Sequence, residues 1–163
     1  MNMFIPKVIE KPWGKEVICA HTPDYVGKML YINQGEQLSI QYHNHKDETM
    51  YIVSGSGLIN FFEMDERGHV VLKTRHAYSE GQSYYIPPKK IHNVIADADT
   101  VIFESSTNYL DDIVRISDKY GRKWTFCKVT WYIYKKETFY RILVMNKKEN
   151  KEYTTIQIRK DIN

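Results

Sequence analysis

The chain is poor in the features that fix a protein from outside its core. It holds only two cysteines in 163 residues, Cys19 and Cys127, far apart and outside any C-x-x-C motif. This favours two thiols in a reducing, cytoplasmic compartment, and the sequence leaves a disulfide between them open. No apolar run approaches the length of a membrane span, and residues 1–11 lack the apolar stretch of a signal peptide. Charge of one sign is also scarce. A net charge of +3 does not by itself mark a nucleic-acid binder, and the basic excess collects in residues 123–163. Glycine, serine and proline nowhere cluster into a linker, there is no low-complexity segment, and helical periodicity is weak throughout. One soluble domain with neither nucleic acid nor membrane as partner is expected.

Aromatics, by contrast, are abundant. Thirteen Tyr and three Trp suit a pleated, half-buried surface better than a helix. Short strand-like runs recur between turn signals: Tyr25–Asn33, Gln37–Tyr42, Glu48–Ser54, Leu58–Glu63, His69–Thr74 and Ser83–Ile86. Gly55, Gly57, Gly68, Gly81 and the Pro87-Pro88 pair punctuate them. Ile91–Ala96 and Thr100–Ser105 read as strands paired across Asp97-Ala98-Asp99. Asp111–Ile116 fits either a helical turn or a strand. Three further strands are expected at Lys123–Lys135, Thr138–Met145 and Tyr153–Arg159, with Asn146–Lys151 as a hairpin loop. Many short strands with such punctuation predict an all-β barrel or sandwich.

Chemistry concentrates in two stretches. In the first, Gly35 to Gly55, Gln41 and His43 stand two apart, so on a strand they share a face. Glu48 opens the next strand and can return to the same point. An imidazole, a carboxylate and an amide oxygen make a mixed N/O set suited to Zn²⁺, Mn²⁺, Fe²⁺ or Ni²⁺. Alone, this stretch would serve equally as a solvated loop. The second stretch, Gly81-x5-Pro87-x4-His92, adds one histidine directly after a proline turn. Four ligands are therefore expected to converge: Gln41, His43, Glu48 and His92. His45 is a reserve.

Three ligand-type residues in one stretch and one His in another resemble the two-part signature of the cupins. The usual first part, G-x5-H-x-H-x(3,4)-E-x6-G, is met from Gly35 to Gly55 with Gln41 in place of the first His. The second, G-x5-P-x-G-x2-H-x3-N, is met from Gly81 to His92, with Lys89 and Ala96 as departures. Further segments resemble the C-terminal domain of type II mannose-6-phosphate isomerases: Lys11-Pro-Trp-Gly14, Gly35–Tyr42 (GEQLSIQY), Tyr51–Gly55 (YIVSG), Tyr85–Pro87 (YIP) and Leu110–Arg122 (LDDIVRISDKYGR). Where those enzymes carry H-H-H-R-A-E-H-W, this chain has His43-Asn-His-Lys-Asp-Glu-Thr-Met50, and Asn44, Thr49 and Met50 replace groups that those enzymes carry near the metal.

The resemblance implies a cupin double-stranded β-helix, a jelly-roll barrel, over residues 1–122 with its N-terminal arm. Residues 123–163 would then be a β extension packed on the barrel or on a second subunit. It implies a divalent cofactor, zinc first, with manganese, iron, nickel or cobalt as alternatives. The implied activity is an aldose–ketose isomerase interconverting mannose 6-phosphate and fructose 6-phosphate. The alternatives are an epimerase or ketoisomerase on a nucleotide sugar, or a non-catalytic sugar-binding cupin. An enediol route needs a base, for which Lys46, His45 and Lys89 are candidates. Arg115 and Arg122 resemble family arginines and suit a phosphate; an ion pair is an equal reading of both. Many small cupins pair through strands, so a homodimer is expected.

Overall fold

A computed structural model describes residues 3–66 and 68–122, and beyond them the strands 127–134, 137–146 and 151–159. All regular elements among the described residues are strands: β1 (Lys7–Lys11), β2 (Gly14–His21), β3 (Tyr25–Ile32), β4 (Ile40–Tyr42), β5 (Glu48–Ser54), β6 (Ser56–Met64) and β7 (Val70–Ser79). β8 (Ser83–Ile86), β9 (Ile91–Ala96), β10 (Thr100–Thr107) and β11 (Val114–Ser117) complete the barrel. A six-stranded sheet runs β1-β2-β3-β10-β5-β8, and a five-stranded sheet runs β11-β4-β9-β6-β7. Every pairing is antiparallel. The fold is the all-β cupin jelly roll that the sequence led us to expect. None of the described helices is long and apolar enough to cross a membrane, there being none at all.

The inward faces follow from a period of two. On β3, Val26, Lys28, Leu30 and Ile32 are buried, and on β10 Thr100, Ile102, Glu104 and Ser106 are. On β5 the inward set is Glu48, Met50 and Ile52. Trp13, Leu30, Ile32, Leu38, Ile59, Ile86, Val94 and Ile102 fill the space between the sheets with them. Truncating one of the fully buried isoleucines to alanine should cost about 2–5 kcal/mol. This apolar plug fills one part of the barrel. The other part, where Lys28, Glu48 and Glu104 point inward, is left for polar groups.

The strands differ from the sequence reading in three respects. Ile91–Ala96 and Thr100–Ser105 are not partners: β9 lies between β4 and β6, and β10 between β3 and β5. The intervening turn crosses from one sheet to the other, with the Asp97 and Ala98 amides donating to the Ser56 carbonyl at 3.0 and 3.2 Å. Only Ile40–Tyr42 of the expected Gln37–Tyr42 strand is regular, Gln37 making an isolated bridge to Ile95. The N-terminal arm forms a hairpin, β1–β2, whose turn carries the buried Trp13. Gly14 ends that turn at φ 139, and a Cβ there would lie 2.0 Å from the Tyr31 carbonyl oxygen, so glycine is required.

Asp111–Ile116 divides: Asp111 lies in a turn, and from Val114 the chain is a strand, β11. The three expected C-terminal strands are present as β12 (Cys127–Tyr134), β13 (Glu137–Asn146) and β14 (Lys151–Arg159) in a sheet of their own. The side chains of this segment, Cys127 included, and the residues 123–126 and 147–150 lie outside the described residues. Cys19 is a free thiol, donating to the Gly27 carbonyl at 3.2 Å.

Candidate metal centre

Antiparallel pairing of β4 with β9 sets Gln41 opposite His92, and pairing of β11 with β4 sets Arg115 opposite Gln41. Arg115, Gln41 and His92 thus form one inward row across the five-stranded sheet. Glu48 comes from the facing sheet, as the first residue of β5. His43 follows the end of β4, in a loop that Asp112 organises. The Asp112 carboxylate accepts the amides of Asn44 (3.1 Å), His45 (2.6 Å) and Lys46 (2.9 Å), which hold its pKa down against partial burial. The Lys89 amide donates to the His43 carbonyl at 2.6 Å and pins the other side.

The ligand atoms of His43, Glu48 and His92 all lie within 4.8 Å of one another, and all three residues are buried. Glu48 Oε1 stands 3.2 Å from His92 Nε2 and 3.7 Å from His43 Nε2. Both rings are oriented from behind. His43 Nδ1 donates to the Asp112 carbonyl, and His92 Nδ1 to the Lys90 carbonyl at 2.9 Å. A carbonyl only accepts, so Nδ1 of each ring carries a proton, and the Nε2 of a neutral ring then turns its lone pair to the carboxylate. Burial, and then the Lys46 ammonium, lower the His43 pKa and keep that ring neutral. Glu48 is held well below the carboxylate range. Burial opposes this, but the Lys46 ammonium against Oε2 prevails.

Glu48 Oε1 and both Nε2 atoms are therefore buried lone-pair donors, none with a hydrogen bond. Leaving three such atoms unmatched is costly. Two imidazoles and a carboxylate aimed at one point suit a divalent cation, and these residues fit one. Gln41 stands beside them in the cavity wall, its Oε1 accepting the Ser39 hydroxyl at 2.6 Å.

The remaining candidates divide between the surface and the cavity wall. His45 is exposed, because the strand ends at Tyr42 and the face it would share with His43 does not continue. Its ring lies against Tyr109, with centroids 5.6 Å apart. Lys89 is exposed in the turn after Pro88, at φ 67. Lys46 is buried between two carboxylates, contacting Glu48 Oε2 and, at 2.9 Å, Glu104 Oε1. Burial works against its charge, but Glu104 and then Glu48 raise its pKa, so Lys46 stands as an ammonium rather than a free base. Arg122 forks onto Asp118, at 3.0 Å from Nε and 2.6 Å from Nη2, which is the ion-pair reading. Arg115 has its Nε buried without a partner. Burial, then the neighbouring Arg122 charge, lower its pKa.

Sequence reasoning missed Lys28 and Glu104. Lys28 Nζ lies 3.1 Å from Glu104 Oε1, the same oxygen that Lys46 contacts. Burial raises the Glu104 pKa, but Lys46 and Lys28 bring it below its ordinary value. The only sequence signal was a charge at an inward position of each strand. A cavity of about 430 Å³ opens in front of these groups. Its wall includes Gln41, His43, Lys46, Glu104 and Arg115, with Trp13 and Leu30 on the apolar side.

Residues 3–118 match the family model described as mannose-6-phosphate isomerase C-terminal. A mannose-1-phosphate guanylyltransferase of Salmonella montevideo is 36% identical over 119 residues, which are 70% of this chain and 23% of that protein. The chain thus spans about a quarter of the length of such relatives. Among solved structures, the mannose 6-phosphate isomerase of Bacillus subtilis superposes with a TM-score of 0.59 at 12% identity, covering 85% of this chain and 74% of that one. An RmlC-like cupin from Shewanella frigidimarina gives 0.53 at 16% identity, covering 66% and 87%.

Proposed function

The chain belongs to the mannose-6-phosphate isomerase C-terminal family, and from that premise we propose that it is a metal-binding cupin domain of carbohydrate metabolism that holds a nucleotide sugar or sugar phosphate in its barrel. The observation that carries this reading is the shared cavity wall. Arg115, a guanidinium without a hydrogen bond at its buried Nε, faces the same space as His43. A guanidinium matches phosphate oxygens in planar fashion. His43, Glu48 and His92 would hold the cation, with Gln41 at its side. The cation, when bound, supplies a Lewis acid that orients sugar hydroxyls. Trp13 and Leu30 offer an apolar wall to the sugar ring.

The isomerase reading, expected from the motifs, has less support. Proton transfer between C1 and C2 requires a base at the cavity. Of the three candidates, His45 and Lys89 are exposed and Lys46 is a doubly paired ammonium. An epimerase or ketoisomerase acting on a nucleotide sugar needs the same base. The relative named for mannose 1-phosphate and guanylyl transfer favours nucleotide-sugar metabolism over the isomerase. Binding without turnover is therefore the form of the proposal.

Calorimetry on zinc-loaded protein tests it, with a guanosine-diphosphate-linked mannose, mannose 1-phosphate, mannose 6-phosphate and free mannose as ligands. The phosphorylated ligands should bind, mannose should not, and Arg115→Met should weaken the former by roughly tenfold or more, as for a lost charge-assisted contact. Conversion of mannose 6-phosphate to fructose 6-phosphate, followed by proton NMR, would restore the isomerase reading. A homodimer is part of the proposal, and light scattering at micromolar concentration giving the monomer mass would remove it.

A further inference from the structure

Four charged side chains run inward beside the centre, almost wholly buried. Lys28, Lys46, Glu48 and Glu104 are 7%, 4%, 1% and 4% exposed. Charges are rarely buried so completely unless each is matched. Here the matching is uneven. Glu104 Oε1 receives both ammonium groups, Lys28 at 3.1 Å and Lys46 at 2.9 Å. Lys46 has a second partner, Glu48 Oε2. Glu48 is consequently split between two environments: Oε2 faces an ammonium, and Oε1 faces the lone pairs of His43 and His92.

We propose that Glu104 is a positioning residue for the metal centre: by competing with Glu48 for Lys46, it sets how much of the Glu48 carboxylate is left for the cation. The inference rests on the metal-binding reading above. Lys28 is the opposing weight. It occupies part of Glu104 and so limits how far Glu104 draws Lys46 away. Lys46 holds Oε2, leaving Glu48 to offer the cation one oxygen, Oε1.

This arrangement predicts changes of opposite sign at two residues that touch neither the cation nor its ligands. With Glu104→Gln, Lys46 turns fully onto Glu48, repels the cation and occupies its ligand, so affinity falls. With Lys28→Met, Glu104 takes Lys46 for itself, Glu48 is freed, and affinity rises. An outer partner of a metal ligand typically alters affinity by about 10- to 100-fold, and about tenfold is expected in each direction. A network that merely stabilises the fold would lower the melting temperature in both variants and leave affinity alone, or weaken it in both.

The experiment is calorimetric titration of the full chain with Co²⁺, accompanied by the visible spectrum of the bound ion and a melting curve for each variant. Weaker binding by Glu104→Gln together with tighter binding by Lys28→Met supports the inference. If Lys28→Met does not fold, Lys46→Met serves, since it too frees Glu48 and should bind Co²⁺ more tightly with an altered spectrum. Wild-type protein that binds Co²⁺ while the variants match it, or all shift the same way, overturns the inference and leaves the metal reading standing. Wild-type protein that takes up no Co²⁺ overturns both.

Discussion

Asp112 grips His43 from two directions: its carbonyl takes the ring Nδ1 proton, and its carboxylate ties down the three amides that follow His43 in the chain. Asp112→Ala should therefore loosen one short loop while sparing the barrel. The backbone carbonyl stays, but hydrogen exchange at Asn44, His45 and Lys46 should accelerate, and divalent-cation affinity should fall because the loop that carries His43 is no longer tied down. Unchanged exchange at those amides would show that the loop needs no anchor.

Loading and stripping the ion gives a second test. A cation that binds only the folded chain adds about 2.7 kcal/mol when its free concentration is a hundred times the dissociation constant. Chelation should lower the melting temperature, and zinc should restore it. His92→Ala should melt at the same temperature with and without zinc. A wild-type melting curve indifferent to chelator would count against the centre.

Tyr120 offers a pH signature away from the metal. Burial raises its phenol, the Gln37 amide donating to the phenol oxygen at 3.1 Å opposes this, and Glu36 adds to it, leaving the pKa at about 12. The folded state thus favours the protonated phenol. Its contribution to stability is complete below the ordinary tyrosine value of about 10 and is lost as pH rises toward 12. The difference in ultraviolet titration between wild type and Tyr120→Phe should show one phenolate appearing late. A difference curve centred near 10 would refute the assignment.

The segment 123–163 is proposed to be part of the folded unit, packed on the barrel or on a second subunit. Val70, Ile91 and Ile116 form a second buried cluster, apart from the core between the sheets, with Ile40, Tyr42 and Phe62 packed against it. Limited proteolysis should spare the segment. Rapid cleavage throughout 125–160, leaving a stable core that ends near Arg122, would detach it.

The fold was legible because alternation survives in the sequence: Glu48, Met50 and Ile52 point inward and Tyr51 and Val53 outward, as a period of two requires. The spacing of His43, Glu48 and His92 likewise brought the three ligand-type groups together. The pairing of β9 and β10 was misread because adjacent strands with a short turn imply a hairpin, and only the closure of a two-sheet barrel sends them apart. Lys28 and Glu104 were invisible for a related reason. They are 76 residues apart and meet only through the β3–β10 register, and an isolated charge on a strand resembles a solvated one. His45 was misplaced because its motif position ignores where β4 stops.

Glu48 belongs to one sheet and His92 to the other, with His43 on the loop that joins them. An ion seated among the three would act as a rivet through both walls. Neither sheet could then peel away without tearing the rivet out, so occupancy would slow amide exchange throughout the barrel, on strands such as β3 and β6 that lie outside the ligand set, and not merely around the ligands.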